Sequence, residues 1–164
     1  MKGKKFHKKT VTAFNMYFFA RAVACCFRYD DDFKKYVGML PEKFVFRMRV
    51  LPDGNAMTIV KNGEKLTVGS GREMIVKPDV DVCFKNVEGA LSFFTGVKSF
   101  SKCLAQSAFV IYGDVSGMMT VSHMFDIVAS YMLFKSWLKK YDRALLPRTA
   151  NVHKIRFFTL FGRF

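Results

Sequence analysis

Apolar and polar residues alternate in five short segments in the middle of the chain, and this alternation predicts five β-strands. In residues 44–50 every second side chain is apolar, and Arg47 and Arg49 lie between the apolar positions. Further segments follow at 56–61, 64–68, 80–85 and 108–112. We expect each strand to turn one apolar face towards a hydrophobic core.

The second and third strands are predicted to form a hairpin. Asn62-Gly63 separates them, and Asn-Gly is the preferred pair for a two-residue type I′ turn because both positions need positive φ. This turn predicts three cross-strand pairs: Lys61 with Glu64, Ile59 with Leu66, and Met57 with Val68. The hairpin would then carry one apolar face with an ion pair at its tip.

Helical patterns lie before, between and after the strands. A helix is expected over 10–28 and a shorter one before residue 38, two more lie between the fourth and fifth strands, and helical material follows the fifth strand up to Leu146. Their expected N-caps have side-chain oxygens: Thr10 or Thr12, Asp32, Asn86, Ser99, and Asp114 or Ser116. The pattern predicts an α+β domain with a curved, roughly five-stranded sheet covered on one face by helices.

The N-terminal segment partly imitates a secretory signal. Five lysines among residues 2–9 precede an apolar run over 11–27, and Ala-Val-Ala-Cys at 22–25 resembles a lipoprotein cleavage site. Asn15 and Arg21 interrupt the run, which is also too short to span a bilayer comfortably. We therefore expect a packed or interfacial helix.

The composition is rich in two adaptable apolar residues. Of 164 residues 51% are hydrophobic, with 19 Phe and 10 Met. Phe fills large volumes, and Met adapts to irregular neighbours. Two interpretations stay open: a filled Phe-rich core, or an apolar cavity that accepts a flexible guest.

The net charge of +14 lies at the two ends of the chain. Residues 1–29 hold seven Lys and Arg and no acid, and residues 127–164 hold eight against Asp142 alone. Basic ends on a neutral body favour docking on an anionic membrane surface over nucleic-acid binding, with solvated basic tails as the alternative. The length fits one domain over 1–164, with a basic N-terminal helical arm at 1–39 and a basic aromatic tail at 147–164.

No catalytic or metal-binding constellation is recognisable. The four cysteines, Cys25, Cys26, Cys83 and Cys103, form no C-x-x-C pair and are expected to be buried thiols in a reducing compartment. The three histidines, His7, His123 and His153, are scattered without metal-ligand spacing. A His123–Asp126 pair on a helix surface and a plain connection at Gly-Ser-Gly-Arg 69–72 are the simplest interpretations. We expect no enzyme activity, cofactor or metal.

Five segments between residues 40 and 135 occur in a characteristic order. They are FRMRV at 46–50, a hairpin at 57–68 containing Lys-Asn-Gly, PDVDVCF at 78–84, EGALSFFTG at 88–96, and AFVIYGDVS at 108–116. Together they resemble the sterol carrier protein 2 domain family. This resemblance implies a mixed five-stranded sheet with helices on one side and a hydrophobic tunnel between them. Members bind sterols, fatty acyl chains or other lipids, some bacterial relatives assist quinone biosynthesis, and the family shares no catalytic residues.

The expected function is therefore non-enzymatic binding or transfer of a fatty acyl, sterol-like or polyprenyl molecule. The alternatives are an accessory protein that presents a quinone precursor or other lipid to separate enzymes, and a basic membrane or nucleic-acid adaptor with a filled core. We expect a cytoplasmic protein that visits membranes, and a homodimer stays open. The predicted lining consists of inward residues of strands and helices: Phe46, Met48, Phe84, Phe93, Phe94, Phe109, Ile111, Met118, Met124, Phe125, Val128 and Met132.

Overall fold

The computed structural model describes residues 2–52, 54–71, 77–141 and 146–162 of the chain. The helices in these ranges are α1 (Lys2–Tyr29), α2 (Asp31–Met39), α3 (Val87–Phe94), α4 (Phe100–Ala105), α5 (Val115–Met132), α6 (Lys135–Lys140) and α7 (Val152–Phe161). The strands are β1 (Lys43–Val50), β2 (Ala56–Asn62), β3 (Lys65–Gly71), β4 (Val80–Phe84) and β5 (Phe109–Gly113).

The five strands form one mixed sheet in the order β3-β2-β1-β4-β5. The central pair β1–β4 is parallel, and the other three pairs are antiparallel. The predicted α+β class with a mixed five-stranded sheet is therefore confirmed. Phe46 on β1 lies beside Ile59 of β2 and Val80 of β4, so the apolar positions of three strands line up on one face.

Helices cover this apolar face. Helix α1 lies against β3 and β2, α3 and α5 lie against β4, and α4 lies against β5. Helices α2 and α7 pack on other helices rather than on the sheet. The core between sheet and helices includes Met16 of α1 and Ile155 of α7. The N-terminal arm and the C-terminal tail are thus built into the same core as the central segments.

On the opposite face, β1 presents the two arginines that the alternation placed there. Arg47 makes two hydrogen bonds to the Asp81 carboxylate, at 3.1 and 2.6 Å, and Arg49 lies 3.0 Å from the same carboxylate. Arg47 and Asp81 are direct neighbours across the parallel β1–β4 pair. The cross-strand acid thus balances much of the basic character expected from β1 alone.

The predicted hairpin exists, but the predicted turn was wrong. Asn62 pairs with Lys65, so the turn residues are Gly63 and Glu64, and Gly63 alone of the two has positive φ, at 57°. Positive φ at the first turn position only is the pattern of a type II′ turn, which needs Gly there. Ile59 accordingly pairs with Val68, and Lys61 pairs with Leu66.

This shift by two residues keeps the apolar face but removes the expected ion pair. Lys61 does not meet Glu64 at an exposed tip; it is buried on the helix-facing side, where its ammonium group donates to the Leu40 carbonyl. Met57 now pairs with Ser70. Because side chains alternate with period two, an error of two residues leaves every face assignment intact.

Helix α1 begins earlier than expected. Neither Thr10 nor Thr12 caps it; the Thr12 hydroxyl donates to the Lys8 carbonyl within the helix. Residues 8–29 are long and apolar enough to cross a membrane by length and composition alone. In the structure the middle of this helix is packed, since Met16, Ala20 and Val23 are buried in the core. Of the two predicted alternatives, a packed or an interfacial helix, the structure shows a packed one.

The other caps are mostly as predicted. Asn86, Ser99 and Asp114 each accept a backbone hydrogen bond at the start of α3, α4 and α5, as expected. For α2 the prediction was wrong: Asp30 rather than Asp32 accepts from the Phe33 N–H, at 2.7 Å. The long helical segment predicted up to Leu146 is divided, because α5 ends at Met132 and α6 at Lys140, and residues 142–145 lie outside the described part.

Candidate ligand-binding site

The twelve predicted lining residues all lie in one apolar cluster, here called the inner aromatic cluster. Nine of them are buried: Phe46, Met48, Phe84, Phe93, Phe109, Met118, Met124, Phe125 and Val128. The other three, Phe94, Ile111 and Met132, are partly buried and pack against these nine. Ten of the twelve are Phe or Met. The structure therefore brings together every residue that the strand and helix patterns selected.

Phe84, at the end of β4, has rings on several sides. Its ring centroid lies 5.7 Å from that of Phe93, 6.1 Å from Phe94 and 5.3 Å from Phe109. These distances are typical of tilted and edge-to-face aromatic pairs. Strand β4 thereby joins α3 and β5 through ring contacts.

Phe125 of α5 lies on the other side of the cluster. Its ring is 5.5 Å from Phe46 of β1 and 5.9 Å from Phe93 of α3. It also contacts Phe19 of α1 at 5.1 Å. The helices α1, α3 and α5 therefore meet the sheet through one connected set of rings.

Phe19 and Phe100 have ring contacts with members of this cluster but were missing from the predicted lining. Phe19 lies in the apolar run of α1, which was treated as an arm outside the family-like segments, and it contacts Phe94 as well as Phe125. Phe100 opens α4 and packs 4.7 Å from Phe109. For Phe100 a signal existed, because the sequence analysis placed it directly after the Ser99 cap of a predicted helix.

The rings of the cluster contact one another, and the twelve predicted residues do not line the four grooves described next. These four grooves have volumes of about 270, 330, 420 and 150 Å³. The structure shows no tunnel in the part of the chain that it describes. The tunnel, and the lining role of the twelve residues, stay predictions.

One groove opens at the edge of the inner aromatic cluster, and we call it the N-terminal groove. It has a volume of about 270 Å³ and lies between residues 9–13 of α1, the turn after β1 and the start of α3. Its floor includes Val50 and Val87, which also belong to the core. Lys9 and Thr10 of α1 lie at its rim. The groove thus joins the hydrophobic core to a basic, exposed edge.

A second groove of about 330 Å³ lies between α2 and α5. Its wall includes Met39, Ile127 and Leu146, and Asp30 and Asp32 supply carboxylates. Its volume lies just above the lower limit for small-molecule sites, which is about 300 Å³. Its lining is apolar at Ile127, Leu146 and Pro147 and mostly charged or polar at the α2 side.

Asp30 is the centre of a buried polar network beside this second groove. Its carboxylate accepts hydrogen bonds from the Phe33 N–H, the Tyr131 hydroxyl and, at 2.9 Å, the Thr149 hydroxyl. The Tyr131 oxygen also accepts from the Ala150 N–H at 2.9 Å. Burial and the neighbouring carboxylate raise the pKa of Tyr131 to about 12. This network ties α2, α5 and the segment before α7 together.

The residues considered for catalysis do not converge. His123 is exposed and stacks on Tyr36 with ring centroids 5.6 Å apart. The four cysteines are free and buried, and burial raises the pKa of Cys25, Cys26 and Cys83. Within the described ranges no group of three or more His, Cys, Asp or Glu could hold a metal ion. Gly69 and Ser70 belong to β3, and Arg72 lies outside the described residues.

No protein-family model and no curated protein matches this sequence. Among solved structures, this chain is similar to the ubiquinone synthesis protein UbiJ-SCP2, with 15% identity and a TM-score of 0.47. The match covers 63% of this chain and 87% of the UbiJ-SCP2 chain. The chain is also similar to sterol carrier protein 2-like 2 from Aedes aegypti, with 17% identity and a TM-score of 0.38, and the match covers 57% of this chain and 89% of the other. For sterol carrier protein 2-like 3 from the same organism the identity is 13% and the TM-score is 0.37, and the match covers 58% of this chain and 91% of the other. The names of all three contain the family that the sequence motifs resemble. The likeness concerns the backbone and assigns no ligand to this chain.

Proposed function

We propose that this protein binds a single-chain, lipid-like molecule by admitting its apolar chain among the rings and thioethers of the inner aromatic cluster. One observation carries the proposal: the twelve residues of the predicted lining lie in one apolar cluster on the helix-covered side of the sheet, and ten of them are Phe or Met. The role is to carry or present the molecule, and no chemical step is assigned to it.

The choice of side chains suits a core that opens. Phe93 touches both Phe94 and Phe125 edge to face, and such rings can turn about two bonds. Met118, Met124 and Met132 have three flexible bonds each and adapt to a changed neighbour. Each methylene of a guest that becomes buried contributes about 0.8 kcal/mol. An acyl chain can therefore replace internal contacts with comparable ones.

The N-terminal groove is the entrance in this proposal. It is continuous with the core at Val50 and Val87, and Lys9 at its rim can pair with an anionic head group. The neighbouring Lys8 is joined to Glu88 of α3 at 3.1 Å, across the same opening. An acyl chain with a carboxylate at one end fits this arrangement of an apolar floor and a basic edge.

A second candidate function is favoured by the ring contacts themselves. The rings of the inner aromatic cluster contact one another without a guest, and none of the four grooves is lined by the twelve predicted residues. A basic adaptor with a filled core would look the same. Ligand binding separates the two functions, because an adaptor with a filled core takes up no lipid.

The test begins with the full chain purified under native conditions. We expect mass spectrometry of the extracted lipid to find a stoichiometric acyl or polyprenyl molecule, and a fluorescent fatty acid to bind once the protein is delipidated. Absence of extracted lipid together with absence of fatty-acid binding would contradict the carrier function and favour the adaptor.

A matched pair of variants locates the entrance. Ala13 and Ala24 are both partly buried on α1, and each lines a different groove. We expect Ala13→Trp, which fills the N-terminal groove, to slow fatty-acid uptake by about tenfold or more, equivalent to about 1.4 kcal/mol in the barrier. Ala24→Trp should leave the uptake rate unchanged. Equal slowing in both variants would mean that the chain enters elsewhere.

The head group is tested by charge reversal. Lys9→Glu should weaken binding of the fatty acid but not of the corresponding fatty alcohol, because only the acid carries a negative charge. Lys65→Glu, an exposed change at the start of β3, is the control and should affect neither. If both ligands lose affinity equally in Lys9→Glu, the groove has lost its shape and the head group is not bound by this lysine.

A further inference from the structure

Helices α6 and α7 carry large apolar side chains that face solvent, and we call this set the outer aromatic face. Its members and their exposed fractions are Phe134 (68%), Trp137 (36%), Phe157 (58%), Leu160 (56%) and Phe161 (72%). On α7 they are spaced three and four residues apart and so lie on one side of the helix. On α7 the exposed apolar side chains therefore form one stripe and are not scattered around the helix.

The two helices are joined at this face by Arg156. Its guanidinium lies 4.9 Å above the ring of Phe134, and its nitrogens donate to the carbonyls of Tyr131, at 2.7 Å, and Leu133, at 3.1 Å. Phe157 follows Arg156 directly and contacts Phe161 at 5.4 Å. The Phe134 ring at the start of α6 is thus linked to α7 through Arg156.

The exposed rings cannot turn inwards, because the opposite side of α7 is already fixed. Ile155 and Thr159 are buried against the core. Arg21 of α1 donates to the carbonyls of Phe158, Thr159 and Gly162, which are the last acceptors of α7. The sequence pattern does not distinguish the Phe residues of the tail. In the structure Phe158 packs on Tyr29 at 5.4 Å, whereas Phe157 and Phe161 are exposed.

The surroundings of the outer aromatic face are basic. Lys135, Lys139 and Lys140 lie on α6 and Lys154 lies on α7, and neither helix contains an acidic residue. Lys140 lies over the ring of Trp137 at 5.7 Å. The sequence from 127 to 164 supplies half of the net charge, seven of fourteen, as eight basic residues less Asp142.

We propose that the outer aromatic face docks the protein on an anionic lipid bilayer. Aromatic rings enter the interfacial layer, while lysines bind head groups at about 1 kcal/mol each near the surface. A second copy of the chain fits less well, since a symmetric contact would place the lysines of one copy against those of the other. The proposal concerns a surface that is separate from the inner aromatic cluster, so it stands or fails independently of lipid uptake.

The experiment is co-sedimentation of the full chain with vesicles of phosphatidylcholine alone or mixed with phosphatidylglycerol. We expect binding to the anionic vesicles, little binding to the neutral ones, and weaker binding as salt is raised. Equal binding to both vesicle types, or none to either, would overturn the proposal.

Two double variants separate this face from exposed apolar residues in general. Phe157→Ser with Phe161→Ser removes an exposed pair four residues apart and keeps every charge; we expect vesicle affinity to fall by about tenfold or more, or about 1.4 kcal/mol. Val115→Ser with Met119→Ser removes an equally spaced, exposed pair at the first turns of α5 and should bind as well as the unchanged protein. Circular dichroism and thermal unfolding verify that both variants fold.

The charge is tested in the same assay. Lys135→Glu with Lys139→Glu should abolish the preference for anionic vesicles, and Lys43→Glu with Lys65→Glu, two exposed changes on β1 and β3, should keep it. Two other occupants would appear as contradictory outcomes. In both, the unchanged protein and all variants fail to bind vesicles. If the Phe157–Phe161 variant then loses self-association, the face is a protein contact; if it loses oligonucleotide binding, the face is a nucleic-acid contact. Either result would show that the proposal is wrong.

Discussion

Two regions of this molecule are rich in Phe, and they lie in opposite surroundings. In the inner aromatic cluster Phe46, Phe84 and Phe125 are buried between the sheet and α3 or α5. In the outer aromatic face Phe157 and Phe161 are exposed on α7. The same residue type is used for packing in one place and left in solvent in the other, so composition alone does not reveal where an apolar ring lies.

The difference arises from what holds the backbone of each region. Rings of the inner cluster are held by sheet register and by each other. Helix α7 is held from its other side, by Ile155 and by arginine contacts to carbonyl groups. A helix that is fixed by polar contacts and one buried stripe can expose a second apolar stripe without losing its position. Such a stripe is available for another surface.

The largest expected effect tests whether the inner cluster is fully packed. Phe84→Ala should lower the free energy of unfolding by about 3–5 kcal/mol, because it removes a buried ring and leaves a cavity. Phe157→Ala, the same change on the outer aromatic face, should alter it by less than about 0.5 kcal/mol. Urea denaturation measures both. A cost below about 1 kcal/mol for Phe84→Ala would mean that the cluster is loosely packed and has room for a guest before any ring moves.

A smaller effect is expected from the polar network behind the inner cluster. Tyr131→Phe removes the hydroxyl that donates to buried Asp30 and accepts from the Ala150 N–H. The loss should be about 2 kcal/mol, since a buried carboxylate loses a partner. Thermal or urea unfolding of the variant at neutral pH measures it. A change below about 0.5 kcal/mol would indicate that water replaces the hydroxyl.

The same variant predicts a pH dependence. Tyr131 in the folded protein has its pKa raised to about 12, whereas in the unfolded chain it ionises near 10. The stability that the protonated hydroxyl contributes is therefore complete below about pH 10 and is lost as the pH rises to about 12. The difference in stability between the unchanged protein and Tyr131→Phe should be constant below pH 10 and shrink above it.

The strand pattern predicted the sheet well, most clearly at β1, where buried and less buried positions alternate along the strand. Five of the twelve lining residues lie on strands, where alternation determines the face of a side chain even when the register is off by two, as at Lys61 and Glu64. The other seven lie on α3 and α5, the helices that contact β4. The turn itself was mispredicted because Asn-Gly and Gly-Glu both supply a glycine at 63. Cross-strand partners, which decide between these turns, are not visible in a single sequence.

Long-range polar contacts were out of reach of the sequence. Arg21 was interpreted only as an interruption of an apolar run, and its partners are carbonyls at 158–162, almost 140 residues away. Asp30 appeared as one of three consecutive acids, and nothing local distinguishes it from Asp32 as the cap. Phe19 was left out of the predicted lining for the same reason, since the position of its ring depends on how α1 crosses the sheet.

Arg21 is also the test of how the outer aromatic face is held. Arg21→Met keeps the apolar stem but removes the donors to the end of α7, and it should lower the free energy of unfolding by about 1–2 kcal/mol. Amide hydrogen exchange should show faster exchange in α7 than in the sheet. Arg28→Met is the matched control on the same helix: Arg28 is exposed over the ring of Tyr29, and its loss should cost less than about 0.5 kcal/mol. Equal effects of the two changes would mean that the carbonyl contacts do not hold α7 in place.

The smallest effect on stability, and the most direct comparison of the two regions, comes from thiol reactivity. Cys25, Cys26, Cys83 and Cys103 are buried, and the raised pKa values of the first three lower their thiolate fraction at pH 8 below that of a free thiol. We expect a thiol reagent to modify the folded protein slowly and to modify all four cysteines once urea unfolds it. Phe161→Cys places a thiol on the outer aromatic face and should add one rapidly reacting group while changing stability by less than about 0.5 kcal/mol. If a native cysteine of α1 reacted as fast as Cys introduced at 161, the α1–α7 contact would open readily, and the outer aromatic face would not be the fixed surface that bilayer docking requires.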